Sequence, residues 1–171
     1  MYEESIAVPL IWNQPGRIRE NQVFNEMVSS YDFFPSMLDY LGLDAPADKQ
    51  RVGRSYVPLL RGERISSRNE LIFEYCYTRA IRTEKWKYVQ RTDNWWNELY
   101  DLEKDRGEIV NVVGWLHHRK QLAELRTRLN DLFARSGAPP IDQWRKTNRQ
   151  ILPIDTGYYD NWLTPRPSAE P

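Results

Sequence analysis

Apolar residues follow two different periods along this chain. Between residues 70 and 102 they occur in short β-prone runs, separated by polar segments at 83–85 and 92–97. The runs cover residues 71–77, 79–82, 86–91 and 98–102. Short runs at this spacing are typical of consecutive antiparallel strands. The pattern predicts an antiparallel meander in the middle of the chain.

Helical spacing flanks the meander on both sides. In residues 30–41 the apolar positions recur every three or four residues, and Gly42 occupies the C-cap position. These positions are Phe33, Phe34, Met37, Leu38 and Leu41. A second stripe lies in residues 116–134 and ends before Gly137. It consists of Leu122, Leu125, Leu129 and Leu132. The first helix is predicted to pack against a sheet, and the second to cover one face of the meander.

The remaining segments have less regular patterns. Residues 6–12 form a short apolar run closed by a turn at 13–16, which suits a buried strand of a parallel sheet, although its neighbours are not obvious in this chain. Residues 44–69 are predicted to be a surface loop with one helical turn at 57–60. Six of the 11 prolines lie in residues 138–171, together with four aromatic residues. This stretch is predicted to be an extended arm, docked on the body or on a second subunit.

Composition excludes several classes of function. Lys plus Arg and Asp plus Glu both number 24, so the zero net charge gives no field that attracts nucleic acid or an anionic membrane. No apolar run approaches the ~18 to 20 residues needed to span a bilayer. A soluble chain is expected, without the pattern of a secretory signal at its start. Cys76 is the only cysteine, so no internal disulfide is possible and the compartment stays undecided.

A basic and aromatic cluster in the meander is the strongest candidate for ligand binding. Its members are Tyr75, Tyr77, Arg79, Arg82, Lys85 and Lys87. Alternation along a strand would put Tyr75, Tyr77 and Arg79 on one face, where a guanidinium group could bind the oxygens of a sulfate or phosphate. These three are the candidate substrate-binding residues. The alternative is that Arg79 and Arg82 pair with carboxylates on neighbouring strands.

Neither a metal site nor a nucleophile is predicted. His117 and His118 are adjacent, so on a helix they diverge by about 100° and do not form a zinc-binding pair. The acidic run at 101–108 lacks the glycine and glutamate that a calcium loop requires, and Asp105 is instead expected to cap a turn. There is also no Gly-x-Ser-x-Gly elbow or P-loop. The sequence therefore predicts no catalytic residues and no metal-binding residues in this chain.

Several segments of the chain occur in an order that is typical of one protein family. The most specific are residues 98–111, with the sequence ELYDLEKDRGEIVN, and residues 79–89 just before them. Upstream of these lie the segments YEES, VPLI, YDFFPSMLDYLG and PLLRG. In this order the segments resemble the C-terminal region of the arylsulfatase-like sulfatases of the alkaline phosphatase superfamily, and the resemblance covers residues 1–136. Arg106 and Ser36 depart from it, since proline and threonine are usual there.

The resemblance implies an α+β architecture: the C-terminal part of an alkaline-phosphatase-like α/β sulfatase, with a small antiparallel sheet packed on a long helix. Residues 1–69 would be the terminal piece of the catalytic domain, with a late strand at 8–12 and its helix at 32–41. Residues 70–137 would form the small C-terminal domain, and residues 138–171 the arm. Residues 2–4 would follow directly on the segment that carries the active-site lysine.

The resemblance also implies that the full-length parent hydrolyses sulfate esters of a small molecule or glycan. It would use a formylglycine nucleophile and a divalent cation, commonly calcium, to stabilise developing charge. The formylglycine motif, C/S-x-P-x-R, does not occur in this sequence. The chain alone is therefore predicted to be inactive and to need the catalytic part as its partner.

Two alternatives remain open. The chain could be a glycan-binding or subunit-assembly module. This alternative is favoured by the Trp95-Trp96 pair and by the aromatic arm, through which a homo-oligomer could form. It could also belong to a related phosphoesterase or phosphonate hydrolase. The natural substrate is not predicted by the sequence.

Overall fold

A computed structural model describes residues 1–44, 53–66, 68–75, 78–91 and 96–143. Its helices are α1 (Glu3–Ile6), α2 (Phe33–Leu41), α3 (Val57–Leu60) and α4 (Arg119–Arg135). Its strands are β1 (Glu70–Tyr75), β2 (Thr78–Thr83), β3 (Trp86–Arg91) and β4 (Glu98–Asp101). Single 3₁₀ turns, Ser30–Asp32 and Leu116–His118, lead into α2 and α4. The fold is α+β, as predicted.

The four strands form one antiparallel sheet in the order β1-β2-β3-β4, which confirms the predicted meander. Residues directly opposite one another in neighbouring strands share a face of the sheet. One such row crosses all four strands and consists of Ile72, Ile81, Tyr88 and Leu99. The next row along the strands points to the opposite face and consists of Leu71, Arg82, Lys87 and Tyr100. The first row is entirely apolar or aromatic, whereas the second carries two cations.

Helix α4 packs on the apolar row and forms the main core. Leu125 and Leu129 are fully buried against Ile81, Tyr88 and Leu99. Of the predicted leucine stripe, the outer members are only partly buried, and Phe133 joins the core instead. Fully burying a side chain of this size contributes roughly 1.5–3 kcal/mol, so this face forms a substantial apolar core.

Helix α2 forms where the sequence predicts it. Ser29 and Asp32 make a reciprocal capping box at the start of the 3₁₀ turn that leads into it, and Gly42 ends the helix in the left-handed region at φ 69°. Its apolar side is not covered by a sheet in the described residues, because Phe33, Phe34 and Leu41 are 46%, 54% and 61% exposed. The predicted packing against a sheet is therefore not formed within this part of the chain.

The predicted strand at residues 6–12 is not formed either. Residues 7–12 have no regular structure, and Val8 and Ile11 are 75% and 85% exposed. A parallel strand is stable only between hydrogen-bonded neighbours, and the described sheet offers it none. We call Val8, Leu10, Ile11, Phe33, Phe34 and Leu41 the N-terminal apolar side chains.

The segments before the sheet are tied together around buried Asp32. Its carboxylate accepts hydrogen bonds from the backbone N–H of Ser29 and of Arg54, and it forms an ion pair with Arg68 at 2.7 Å. The predicted helical turn at 57–60 is present as α3, with three of its four side chains buried. At the other end of the chain, Ile141 is buried, and the rest of the predicted arm, residues 144–171, lies outside the described residues.

Candidate functional site

The second row of the sheet carries a buried ion network. Register places Arg82 of β2 opposite Lys87 of β3, and Lys87 opposite Tyr100 of β4, all on the face away from α4. Helix α1 and the loop after β4 cover this face and bring Glu3 and Glu108 onto the row. We call Glu3, Arg82, Lys87 and Glu108 the buried ion network.

Lys87 is the centre of this network. Its Nζ lies 2.6 Å from Oε1 of Glu108 and 3.4 Å from Oε1 of Glu3, and the side chains of Lys87 and Glu108 are both fully buried. The approach to Glu108 is charge to charge rather than along a hydrogen-bond direction. An isolated charge at such depth would cost many kcal/mol, so the ammonium and the carboxylate each require the other.

Glu3 completes the network from α1. Its backbone N–H donates to Oε2 of Glu108 at 2.9 Å, and its own Oε2 lies 3.3 Å from the guanidinium of Arg82. Arg82 donates in addition to the sulfur of Met27. Both the main chain and the side chain of Glu3 are therefore fixed by groups from the sheet and its following loop.

The loop after β4 presents Glu108 in an unusual backbone conformation. Glu108 has φ 54°, which non-glycine residues seldom adopt. Asp105 stabilises this loop, because its carboxylate accepts the backbone N–H groups of Ile109 and Val110. Asn111 accepts those of Leu99 and Val113. The predicted turn-capping role of Asp105 is thus present, although the inward orientation of Glu108 was not predicted.

Tyr100 lies beside the network. Burial raises the pKa of its phenol, and nearby Glu98 and a hydrogen bond with Tyr2 raise it further. The phenol therefore stays protonated at neutral pH and serves as a neutral hydrogen-bonding group. This contact is a further link between the residue before α1 and the sheet.

The predicted substrate-binding residues do not share one face. Tyr75 pairs with Thr78 across the β1-β2 hairpin, while Arg79 pairs with Glu74, so Tyr75 and Arg79 point to opposite faces. The prediction assumed that side chains alternate between the two faces of the sheet without interruption through the hairpin. The turn interrupts this alternation, so the side chains after it lie on the opposite face from the one predicted. Tyr75 is 69% exposed, on the face of the ion network. Tyr77 lies outside the described residues.

Arg79 makes internal contacts on the α4 face. It is 2% exposed, and its Nε lies 2.6 Å from a carboxylate oxygen of Glu74. One terminal nitrogen donates to the carbonyl of Pro139 at 2.8 Å, and the guanidinium stacks 4.1 Å from the ring centroid of Phe133. These contacts favour the alternative of an ion pair with a neighbouring strand over substrate binding by Arg79. Arg82 also pairs with a carboxylate, but with Glu3 of α1 rather than with a strand.

The histidines belong to an aromatic group beside α4. The ring of His118 lies 5.0 Å from that of Trp86 and 4.1 Å from that of His117. Burial and the neighbouring His117 lower the pKa of His118. Neutral imidazole is therefore favoured in the folded protein.

The described residues contain no group of three or more His, Cys, Asp or Glu side chains that could hold a metal ion. The acidic run after β4 does not converge on a cation either, since Asp101 pairs with Lys104, Asp105 binds backbone N–H groups and Glu108 binds Lys87. This part of the chain therefore does not fit the calcium site that the resemblance implies for the parent. None of the described helices has the length and hydrophobicity to cross a bilayer.

Comparison with known proteins identifies the family. The model of the N-sulphoglucosamine sulphohydrolase C-terminal family matches residues 1–135. The chain belongs to this sulfatase family. A Delta 4,5-hexuronate-2-O-sulfatase of Bacteroides thetaiotaomicron is 32% identical over 146 residues, which are 79% of this sulfatase chain and 30% of that protein. The chain thus spans less than a third of that relative.

Solved structures agree with the sulfatase assignment. A 2-O GAG sulfatase matches with a TM-score of 0.54 and 32% identity, over 72% of this sulfatase chain and 26% of that one. The phosphonate monoester hydrolase of Agrobacterium radiobacter matches with a TM-score of 0.58 and 25% identity, over 66% and 26% of the two chains. The alkaline-phosphatase-like fold class is therefore shown.

The ion network was not predicted as a unit. Lys87 belongs to the predicted basic cluster, but its partners could not be predicted, because Glu3 and Glu108 lie far from it along the chain. The available signal was a lysine between apolar residues of β3 on the same face as Arg82. A cation at a strand position of this kind indicates a buried carboxylate partner.

Proposed function

We propose that this chain is the C-terminal part of a hydrolase that cleaves sulfate esters. The main support for this proposal is the family match over residues 1–135, together with relatives named as sulfatases. The chain spans 30% of such a relative, and its sequence contains no C/S-x-P-x-R motif. We therefore assign the formylglycine nucleophile and the calcium ligands to the remainder of a longer enzyme. The chain alone is inactive on this proposal.

The N-terminal apolar side chains support a partner of this kind. An apolar segment, predicted as a strand, and an apolar helix face after it are both exposed. Their order along the chain is the one expected of a βα unit. A parallel sheet supplied by the catalytic part would pair the backbone of residues 8–12 and bury α2. The substrate class proposed from the relatives' names is a sulfated sugar, with exposed Tyr75 and its neighbour Tyr77 as candidate contacts in the small domain.

A comparison of the chain with the longer enzyme tests this function. Both proteins are purified and assayed on an aryl sulfate, with calcium and with a chelator. The proposal predicts calcium-dependent, saturable hydrolysis by the longer enzyme and only background hydrolysis by the chain. Turnover by the repurified chain would contradict the assignment of the catalytic groups, and an inactive longer enzyme would contradict the sulfatase activity.

A phosphonate or phosphate ester hydrolase is the second candidate, favoured by the structural similarity to a phosphonate monoester hydrolase. The same assay distinguishes the two, with an aryl phosphonate monoester and an aryl phosphate as parallel substrates. A ratio of kcat/KM that favours the aryl sulfate supports the first proposal. The opposite ratio supports the second.

A further inference from the structure

A cavity in the N-terminal half of the chain is lined by three arginine side chains. Its volume is about 440 Å³, and it lies between the turn at residues 16–20 and the C-terminal end of α3. The arginines are Arg17, Arg19 and Arg61, which we call the cavity arginines. Glu20 is the only carboxylate among the described residues that line the cavity, so the lining carries three positive charges and one negative charge. A local excess of positive charge therefore exists on a chain whose net charge is zero.

The fold brings the cavity arginines together from two segments that are far apart along the chain. The backbone N–H of Arg19 donates to the carbonyl of Leu60 at 3.4 Å, which joins the turn to α3. The guanidinium of Arg19 packs on Gly62, where an added Cβ would lie 3.0 Å from one terminal nitrogen. Both the main chain and the side chain of Arg19 are thus placed by contacts with the neighbours of Arg61.

The cavity arginines form no ion pair with a carboxylate in the described part of the chain. Five other arginines do form such pairs, namely Arg68, Arg79, Arg82, Arg91 and Arg128. All the cavity arginines are exposed, so a ligand can reach their guanidinium groups. Like charges around one cavity repel each other, and a concave surface lined by one sign of charge attracts counter-ions. An anion bound between the cavity arginines would relieve this repulsion.

We infer that this cavity binds a sulfated saccharide, with the sulfate group held by the cavity arginines. Guanidinium groups bind the oxygens of sulfate and phosphate esters through paired hydrogen bonds. A volume of about 440 Å³ lies within the range of ~300–1,000 Å³ that is usual for small-molecule sites, so a sugar ring has room beside its sulfate. The choice of a sulfate ester over a phosphate ester rests on the proposed function, because relatives are named Delta 4,5-hexuronate-2-O-sulfatase and N-acetylglucosamine-6-O-sulfatase.

Nuclear magnetic resonance of the isotope-labelled chain tests the site directly. A sulfated hexasaccharide of heparin is added while the Nε–Hε resonances of the arginine side chains are followed, and the desulfated hexasaccharide serves as the control. We expect the resonances of the cavity arginines to shift to saturation with the sulfated form alone. Those of Arg91 and Arg128, which are paired with carboxylates, should stay in place. Absence of a saturable shift at the cavity arginines would overturn the site.

Variants measure what the cavity arginines contribute to affinity. Arg19→Gln and Arg61→Gln should each raise the Kd for the sulfated hexasaccharide about tenfold by titration calorimetry, because each loses a charge-assisted hydrogen bond to the ligand. Arg61→Gln leaves the packing of Arg19 on Gly62 in place, so its result stands even if Arg19→Gln disturbs the turn. The matched control is Arg126→Gln, the same change at an exposed arginine of α4, which should alter the Kd less than about twofold. An equal loss in all the variants would indicate general attraction between charges and would refute a specific site.

A pair of sugar esters distinguishes sulfate from phosphate. At pH 5.5 a phosphate monoester, with a second pKa of ~6, is mostly singly charged, as a sulfate ester is. Under this condition N-acetylglucosamine 6-sulfate should bind at least as tightly as the 6-phosphate. Clearly tighter binding of the phosphate would overturn the sulfated saccharide as the ligand.

None of these measurements involves turnover, so the two proposals can fail separately. An inactive longer enzyme would contradict the proposed function and leave the binding results unchanged. Failure of the chain to bind the sulfated hexasaccharide would contradict the cavity site and leave the hydrolysis assay unchanged.

Discussion

Replacing Arg79 by methionine should measurably destabilise the packing of the sheet on α4. Arg79 joins three elements, since it pairs with Glu74 of β1, binds the carbonyl of Pro139 and stacks on Phe133 of α4. Methionine retains most of the apolar stem and can still contact the ring. It lacks the donors, so the carbonyl and the carboxylate lose their partner.

The size of the effect follows from opposing contributions. Hydrogen bonds to a charged group contribute ~1.5–3 kcal/mol each, and a partly desolvated cation–π contact up to ~2 kcal/mol. Two effects offset this loss. Glu74 is 28% exposed and can be rehydrated, and one terminal nitrogen of Arg79 is buried without a hydrogen-bond partner among the described residues. Removing that unsatisfied donor recovers ~1 kcal/mol or more, so the net loss should be ~2 kcal/mol.

Urea denaturation followed by tryptophan fluorescence measures this change. With a slope of ~1–3 kcal/mol per molar urea, a loss of ~2 kcal/mol lowers the midpoint by about 1 M. Arg126→Met is the matched control, because Arg126 is an exposed arginine of α4, and its midpoint should stay within about 0.3 M. If Arg79→Met has the same midpoint as the control, the internal contacts of Arg79 do not stabilise the fold, and Arg79 becomes a candidate substrate residue again.

Three further predictions concern single positions. Gly53→Ala should be strongly destabilising, because an added Cβ would lie 2.0 Å from the backbone oxygen of Tyr31, whereas Gly114→Ala, with open space around it, should be nearly neutral by thermal melting. Asp32→Asn should cost ~2 kcal/mol by urea denaturation, since it removes the charge that pairs with an arginine and weakens two backbone hydrogen bonds; a loss below ~0.5 kcal/mol would contradict that role. The lowered pKa of His118 means that the unfolded chain binds the proton more tightly, so stability is full above the unfolded pKa of ~6.5 and falls as the pH drops below it. His118→Gln should therefore lose less stability than the wild type between pH 7.5 and 5.5, and parallel pH profiles would refute this.

Local patterns predicted the meander and α4 because their contacts are local. Each strand pairs with the next along the chain, and α4 follows directly, so the period of the apolar residues carries the information. The same holds for α2, because the 3₁₀ turn capped by Ser29 leads directly into it and Gly42 follows its last residue. Even here the prediction for Arg79 was wrong. It lies on the opposite face of the sheet from Tyr75, because the alternation of side chains along a strand does not continue through a turn.

The predicted strand at residues 6–12 does not form in the described part of the chain, and the ion network was not predicted. Both have a different cause. A parallel strand is defined by its neighbours rather than by its own residues, and no neighbour for it is present in the described sheet. The network joins α1, β2, β3 and the loop after β4, and nothing near Lys87 in the sequence specifies Glu3 or Glu108 as its partner. Charge pairing between distant segments leaves no periodic signal.

The contact between Glu3 and Glu108 also sets an order of events during synthesis. The two residues are 105 positions apart, and at about 5–20 residues per second Glu3 waits roughly 5–20 s before its partner is made. The meander and its helix need only nearby residues, whose contacts form far sooner than such a long loop can close. Residues 1–6 therefore dock on a sheet that has already formed, and until then the side chain of Glu3 remains accessible to solvent, chaperones and proteases.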